Sequence, residues 1–169
     1  MMADTAWKQG ERRIAAYFGT LRTSLSGGNS KITRSDTMHD KLFIEAKQRF
    51  KHPIIKSWDA AKKAAKGRIP AVVLMLEGET DIWIMAHSDH LVKVVENMDN
   101  PDIYVETYER KKIAAIQLWK ETKEMAEKEG KIPLVALQEK NRSGFWIIAH
   151  SDDIRPIIQE LKNHECHQD

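Results

Sequence analysis

Glu45 and Lys47 stand two residues apart in Leu42-Phe43-Ile44-Glu45-Ala46-Lys47, a run whose residue types read as a β-strand. On a strand, positions i and i+2 share a face and lie about 7 Å apart along the chain. Asp36 lies on the polar, turn-like approach 35–40, where a turn folds it back beside Glu45. Two carboxylates with the Ala46 carbonyl between them make a hard oxygen site suited to Mg²⁺. Lys47 then stands beside the metal, placed to orient or deprotonate an attacking water. Glu11, on a helical segment upstream, joins these as a fourth candidate. A second reading leaves Glu45 and Lys47 on a solvent face, since burying either charge unpaired is costly.

The elements that must position these groups follow from hydrophobic periodicity. Trp7, Ile14, Ala15, Phe18 and Leu21 recur at helical spacing, predicting a helix from Thr5 to about Arg22 with Asp4 or Thr5 as its N-cap. Residues 24–30, rich in Ser and Gly, read as a loop, and Lys31 to Arg34 as a short strand. Pro53 opens a second helix with Ile54, Ile55, Trp58, Ala61 and Ala65 on one side, ended by Gly67. Residues 71–76, nearly all apolar, read as a strand covered on both faces, and 81–85 as its hairpin partner.

The second half repeats this order. Gly67-Arg68-Ile69-Pro70 returns as Gly130-Lys131-Ile132-Pro133, and Trp83-Ile84-Met85-Ala86-His87-Ser88-Asp89 returns with Trp146 as Trp-Ile-Ile-Ala-His-Ser-Asp, both at an offset of 63. Phe43-Ile44-Glu45 matches Tyr104-Val105-Glu106, and Trp58 matches Trp119, at an offset of 61. The unit is strand–helix–strand–strand, and two copies with the first helix make an α/β fold. In the second copy Glu106 matches Glu45, but Tyr108 stands for Lys47 and Asn97 for Asp36. We therefore expect residues 1–97 to form the catalytic region and 98–169 a degenerate repeat packed on it, within two units or one continuous domain. His87 and His150, equivalent in both copies, are expected to be structural, with Asp89 and Asp152 capping the helices that follow. The paired tryptophans are expected in the core, His39 on a surface loop, and 164–167 in a frayed tail.

The order Glu11 on a helix, a Ser/Gly loop, Asp36, then Glu45-Ala46-Lys47, a helix and a hairpin resembles the PD-(D/E)XK nuclease superfamily, within it the Holliday junction resolvase-like branch of archaea and phages. The resemblance covers about residues 7–92. It implies a restriction-endonuclease-like mixed sheet flanked by helices. It also implies a metal-dependent DNA endonuclease in which Asp36, Glu45 and Ala46 hold Mg²⁺ (Mn²⁺ can substitute), Lys47 assists the water and Glu11 reaches the same site. The superfamily's proline before the Asp is Ser35 here.

Charge supports a polyanionic partner. Residues 1–70 hold 15 Lys and Arg against 6 Asp and Glu, a net of +9, and the remainder carries −7. Arg12, Arg34, Arg49 and Lys51 are the candidates for DNA phosphate contact, and Lys62, Lys63 and Lys66 read as a solvated helix face. Of the 169 residues, 31% are charged, and no long apolar run or apolar leader occurs, so we expect no membrane association and a cytoplasmic protein. One cysteine leaves no intrachain disulfide and argues against a cysteine-built zinc site. A junction resolvase cuts two opposed strands, which implies a homodimer. The alternatives are a homing or repair nuclease acting on duplex DNA, or a non-catalytic DNA-binding protein. Only catalysis requires Asp36, Glu45 and Lys47 together.

Overall fold

The computed structural model describes residues 6–24, 33–97 and 101–166. The expected caps Asp4 and Thr5, most of the Ser/Gly loop, Lys31 and His167 lie outside the described residues. Helix α1 (Ala6–Tyr17) is shorter than its apolar spacing suggested. It ends at Gly19, whose φ of 73° no helix continues. Leu21 and Trp7, read as part of the buried stripe, are 76% and 42% exposed. Residues 33 and 34 are not a strand; the pairing nearby is a bridge between Arg22 and Thr37.

The first repeat comprises β1 (Leu42–Arg49), α2 (Ile55–Ala65), β2 (Ile69–Leu76), β3 (Ile82–His87) and α3 (Leu91–Glu96). The second comprises β4 (Ile103–Arg110), α4 (Ala114–Glu129), β5 (Ile132–Glu139), β6 (Trp146–His150) and α5 (Ile154–Cys166). The final helix thus runs through 164–166, where sequence suggested a frayed tail.

All six strands form one mixed sheet in the order β1-β5-β6-β3-β2-β4, so the fold is α/β with an internal strand–helix–strand–strand repeat. The first strand of each repeat pairs with the other repeat. β1 lies parallel to β5, and β4 parallel to β2. At the centre β3 and β6 run antiparallel, with Met85 opposite Ile148, two residues that the 63-residue offset makes equivalent. The sheet therefore has a pseudo-two-fold axis at that pair. β1, from residues 1–97, is hydrogen-bonded to β5, from residues 98–169.

Side-chain alternation sorts the core into two layers. Leu42 and Ile44 of β1 join Leu134 and Ala136 of β5 under α1, α3 and α5. Val135 and Leu137 of β5 pack with Val72 and Leu74 of β2, Trp83 and Met85 of β3, and Trp146 and Ile148 of β6 in the other layer, under α2 and α4. All four repeated tryptophans are core residues, 1–4% exposed. Their indole N–H groups have no partner. Leaving a buried donor unpaired costs about 1–3 kcal/mol, whereas burying ~200 Å² of indole gains about 5 kcal/mol, so burial wins.

His87 packs on Trp58 and Trp146, and His150 on Trp119 and Trp83, one such set at each symmetry-related position. Each ring's Nδ1 accepts the backbone N–H two residues on, from Asp89 and Asp152 at 3.1 Å. The histidines thus brace the turns after β3 and β6, as expected of a structural pair, but Asp89 is no cap: the N-cap position of α3 is His90, without a side-chain capping bond.

Candidate active site

β1 is an edge strand, and its free side is occupied by residues 33–37. Ser35 takes the place where the resembled family has proline, and its hydroxyl accepts the Ile44 N–H at 2.9 Å and donates to the Ile44 carbonyl at 3.2 Å. The Asp36 N–H donates to that carbonyl at 3.0 Å. The Ala46 N–H then donates to Asp36 Oδ2 at 2.8 Å. Asp36 is thereby fixed against the strand edge beside residue 46. Along a strand, one residue's N–H and C=O point to the same edge, so the Ala46 carbonyl faces the same side as the Asp36 carboxylate.

Glu45 and Lys47 pair in register with Val135 and Leu137, which places them on the α2/α4 face. Their side chains meet, Lys47 Nζ to Glu45 Oε1 at 3.5 Å. Glu45 is only 16% exposed and Lys47 43%, so the lysine reaches solvent while the carboxylate stays half-buried. This excludes the solvent-face reading for Glu45. From α1, Glu11 is buried and bound by Arg22 Nε at 2.5 Å.

The electrostatics tie the four residues together. Burial first, then the nearby Asp36 and Glu11 charges, push the Glu45 carboxyl up to about 7 against the opposing pull of Lys47. Burial and Asp36 raise Glu11, against Arg22 and Lys47. Burial also raises Asp36, against the Ala46 N–H, Lys47 and Arg22. Three carboxylates thus share one region with Lys47 and Arg22. Among the described residues no three His, Cys, Asp or Glu side chains are gathered tightly enough to cage a metal ion. The donor set is instead an open one: Asp36, Glu45 and the Ala46 carbonyl, all hard oxygens with excess negative charge nearby. That chemistry fits a divalent cation that keeps several waters.

The cations expected to contact DNA are all exposed side chains: Arg12 on α1, Arg34, Arg49 and Lys51. The backbone of Arg34 is held by Glu129 at the end of α4, near where β1 begins. Arg49 closes β1 at the other end, roughly 20 Å away by strand rise. The site lies between them.

Other residues matter whose contacts spacing did not show. Arg22, by spacing only the end of a helix, secures Glu11. His52 is buried, its Nε2 lying 3.2 Å from the Lys47 carbonyl and 2.9 Å from that of Gln138, so it ties the ends of β1 and β5. Gln138 packs on Gly10, where a Cβ would collide with its amide, so α1 approaches the sheet closely beside Glu11. His39 accepts the backbone N–H groups of Lys41 and Leu42, organising the turn into β1. In the second copy, Tyr104 donates its hydroxyl to Glu106 at 2.6 Å, and Asn97 bonds back to Lys93 in α3.

No protein-family model, curated protein or solved structure matches the chain.

Proposed function

We propose that this protein is a divalent-metal-dependent DNA endonuclease that hydrolyses phosphodiester bonds, with branched DNA such as a four-way junction as its substrate. One observation carries the reading. Asp36, from a turn, is pinned by the Ala46 N–H to the strand that presents Glu45 and Lys47, and Glu11 lies close enough to raise the Glu45 carboxyl and to be raised by Asp36. Simple stability does not ask for this arrangement. Three partly buried carboxylates this close, with Asp36 raising both Glu45 and Glu11, destabilise a fold unless a cation joins them.

Asp36, Glu45 and the Ala46 carbonyl would hold a divalent cation, which would supply positive charge to stabilise the cleaved phosphate's developing negative charge. Lys47 hydrogen-bonds the attacking water through its ammonium and favours its loss of a proton. Arg22 keeps Glu11 turned to the same site. Arg34 and Arg49, at the two ends of β1, hold backbone phosphates on either side of the cut. Tyr108 cannot do the work of Lys47, so each chain carries one such site, and resolution of a junction takes two chains.

The test is a cleavage panel of four-way junction, flap and linear duplex with Mg²⁺ or Mn²⁺, alongside sedimentation. The reading expects cleavage of the branched substrates by a dimer, lost in excess EDTA. Undiminished cleavage in chelator would sink the metal assignment. Equal cutting of all three DNAs would favour a duplex endonuclease.

A further inference from the structure

A cavity of about 230 Å³ opens beside Lys47, on the α2/α4 side of the sheet. Its walls come from both repeats in matched pairs. Lys47 and Tyr108, Pro53 and Ala114, and Ile54 and Ala115 all line it, and each pair is separated by the 61-residue offset. The cavity is therefore built where the two copies meet, and only one of its two related positions carries the lysine.

Its chemistry is divided. Leu137, Leu118 and the paired apolar residues form the interior, while Lys47, Arg49 and Lys112 supply positive charge. Tyr108 adds an aromatic wall, and the Arg110 guanidinium 4.1 Å from its ring centroid braces it. The space is smaller than the roughly 300–1,000 Å³ of pockets that take drug-sized ligands. It suits one planar ring system with an anion attached. A flexible apolar chain would leave the three cations without a role, and a free phosphate would leave the apolar interior unfilled.

We propose that this cavity receives one DNA base, unstacked from the strand next to the phosphate that Lys47 faces. The proposal rests on the nuclease reading above and names its substrate contact. The base stacks against Tyr108 and apolar residues, its own phosphate meets Arg49 and Lys112, and the neighbouring phosphate is left at Lys47. Extruding a base is least costly where pairing is already broken. The cavity thus gives a physical cause for preferring a branch point over linear duplex. It also gives Lys112 a role, although this residue belongs to the acidic half of the chain.

The experiment places 2-aminopurine, whose fluorescence is quenched chiefly by stacking between neighbouring bases, at each position flanking the mapped cut in a four-way junction. The full-length protein is bound in chelator so that the strand stays intact. A fluorescence rise of several-fold at one flanking position is expected. Ala114→Trp, at an exposed residue of the cavity wall, should abolish the rise and weaken junction binding about tenfold, the size of one lost base stack, without affecting linear duplex. Tyr108→Ala should do the same if Ala114→Trp lowers the melting temperature. A wild type that cuts junctions but shows no rise at any position overturns the base pocket alone. So does a rise that persists in both variants. A wild type that cuts no DNA in Mg²⁺ or Mn²⁺ overturns the nuclease reading, and the pocket assignment with it.

Discussion

Glu45 holds its carboxylate against opposition. Burial and the Asp36 charge push its pKa up to about 7, and Lys47 only partly compensates. In the unfolded chain the group titrates near 4.5. Between those values the folded protein binds the extra proton, so stability falls as pH rises. The contribution is fully present below about pH 4.5 and lost above about pH 7. Glu11 and Asp36 are raised by burial too and steepen the same slope. Urea melts in EDTA should therefore show a loss of up to about 3 kcal/mol between pH 5 and 8. Glu45→Gln should flatten most of that slope. Millimolar Mg²⁺ should restore stability at pH 8 in the wild type and not in Glu45→Gln. A flat profile in wild-type protein would mean that these carboxylates are hydrated like ordinary surface groups.

Among the elements, β1 and the segment that covers its edge decide whether the site exists. Much of this was legible: the residue types in 42–47 specified the strand, and the E-x-K spacing placed both charges on one face. The way Asp36 reaches Ala46 was not legible, because Ser35 fits no regular element. Its hydroxyl substitutes for a backbone partner by serving both polar groups of Ile44. Spacing alone likewise could not show that α1 stops at Gly19, since Leu21 continues the apolar period and yet lies outside the core. Ser35→Ala should cost about 1–3 kcal/mol, the penalty for buried polar groups left unpaired, measured by denaturant melts. It should also cut DNA cleavage more than DNA binding, because Asp36 loses its fixed place while the surface cations do not. An effect on binding alone would show that Asp36 is held by something other than this edge.

At the scale of the whole molecule, duplication was readable from two offsets, but exchange was not. The sequence repeats could pair within themselves or across, and both satisfy the same hydrophobic pattern. The structure pairs them across, β1 with β5 and β4 with β2. One consequence bears on the charge split of +9 and −7 along the chain. The basic and acidic halves of the chain are not separate in space, and Lys112 from the acidic half shares a cavity with Lys47 and Arg49. Salt-dependent binding should reflect this. Replacing Arg34 and Arg49 together should weaken binding to every DNA and lower the salt slope by roughly one unit per lost contact. Lys112→Ala should act in the same direction for junction DNA. Replacing Lys123 and Lys128, which lie on α4 beyond its first turn, should change little. Equal effects from the two double variants would mean that DNA also runs along α4.

The most direct measurement of the central claim compares the two copies of the motif. Glu45→Gln and Glu106→Gln make the same chemical change at positions that the duplication relates. Cleavage of a labelled four-way junction in Mg²⁺ should fall at least about a thousandfold in Glu45→Gln, which removes charge that holds the cation, with binding in EDTA within a few-fold of wild type. Glu106→Gln should cut at nearly the wild-type rate. Loss of cleavage in Glu106→Gln with a retained melting temperature, together with normal cutting by Glu45→Gln, would contradict the account and move the chemistry to the other repeat.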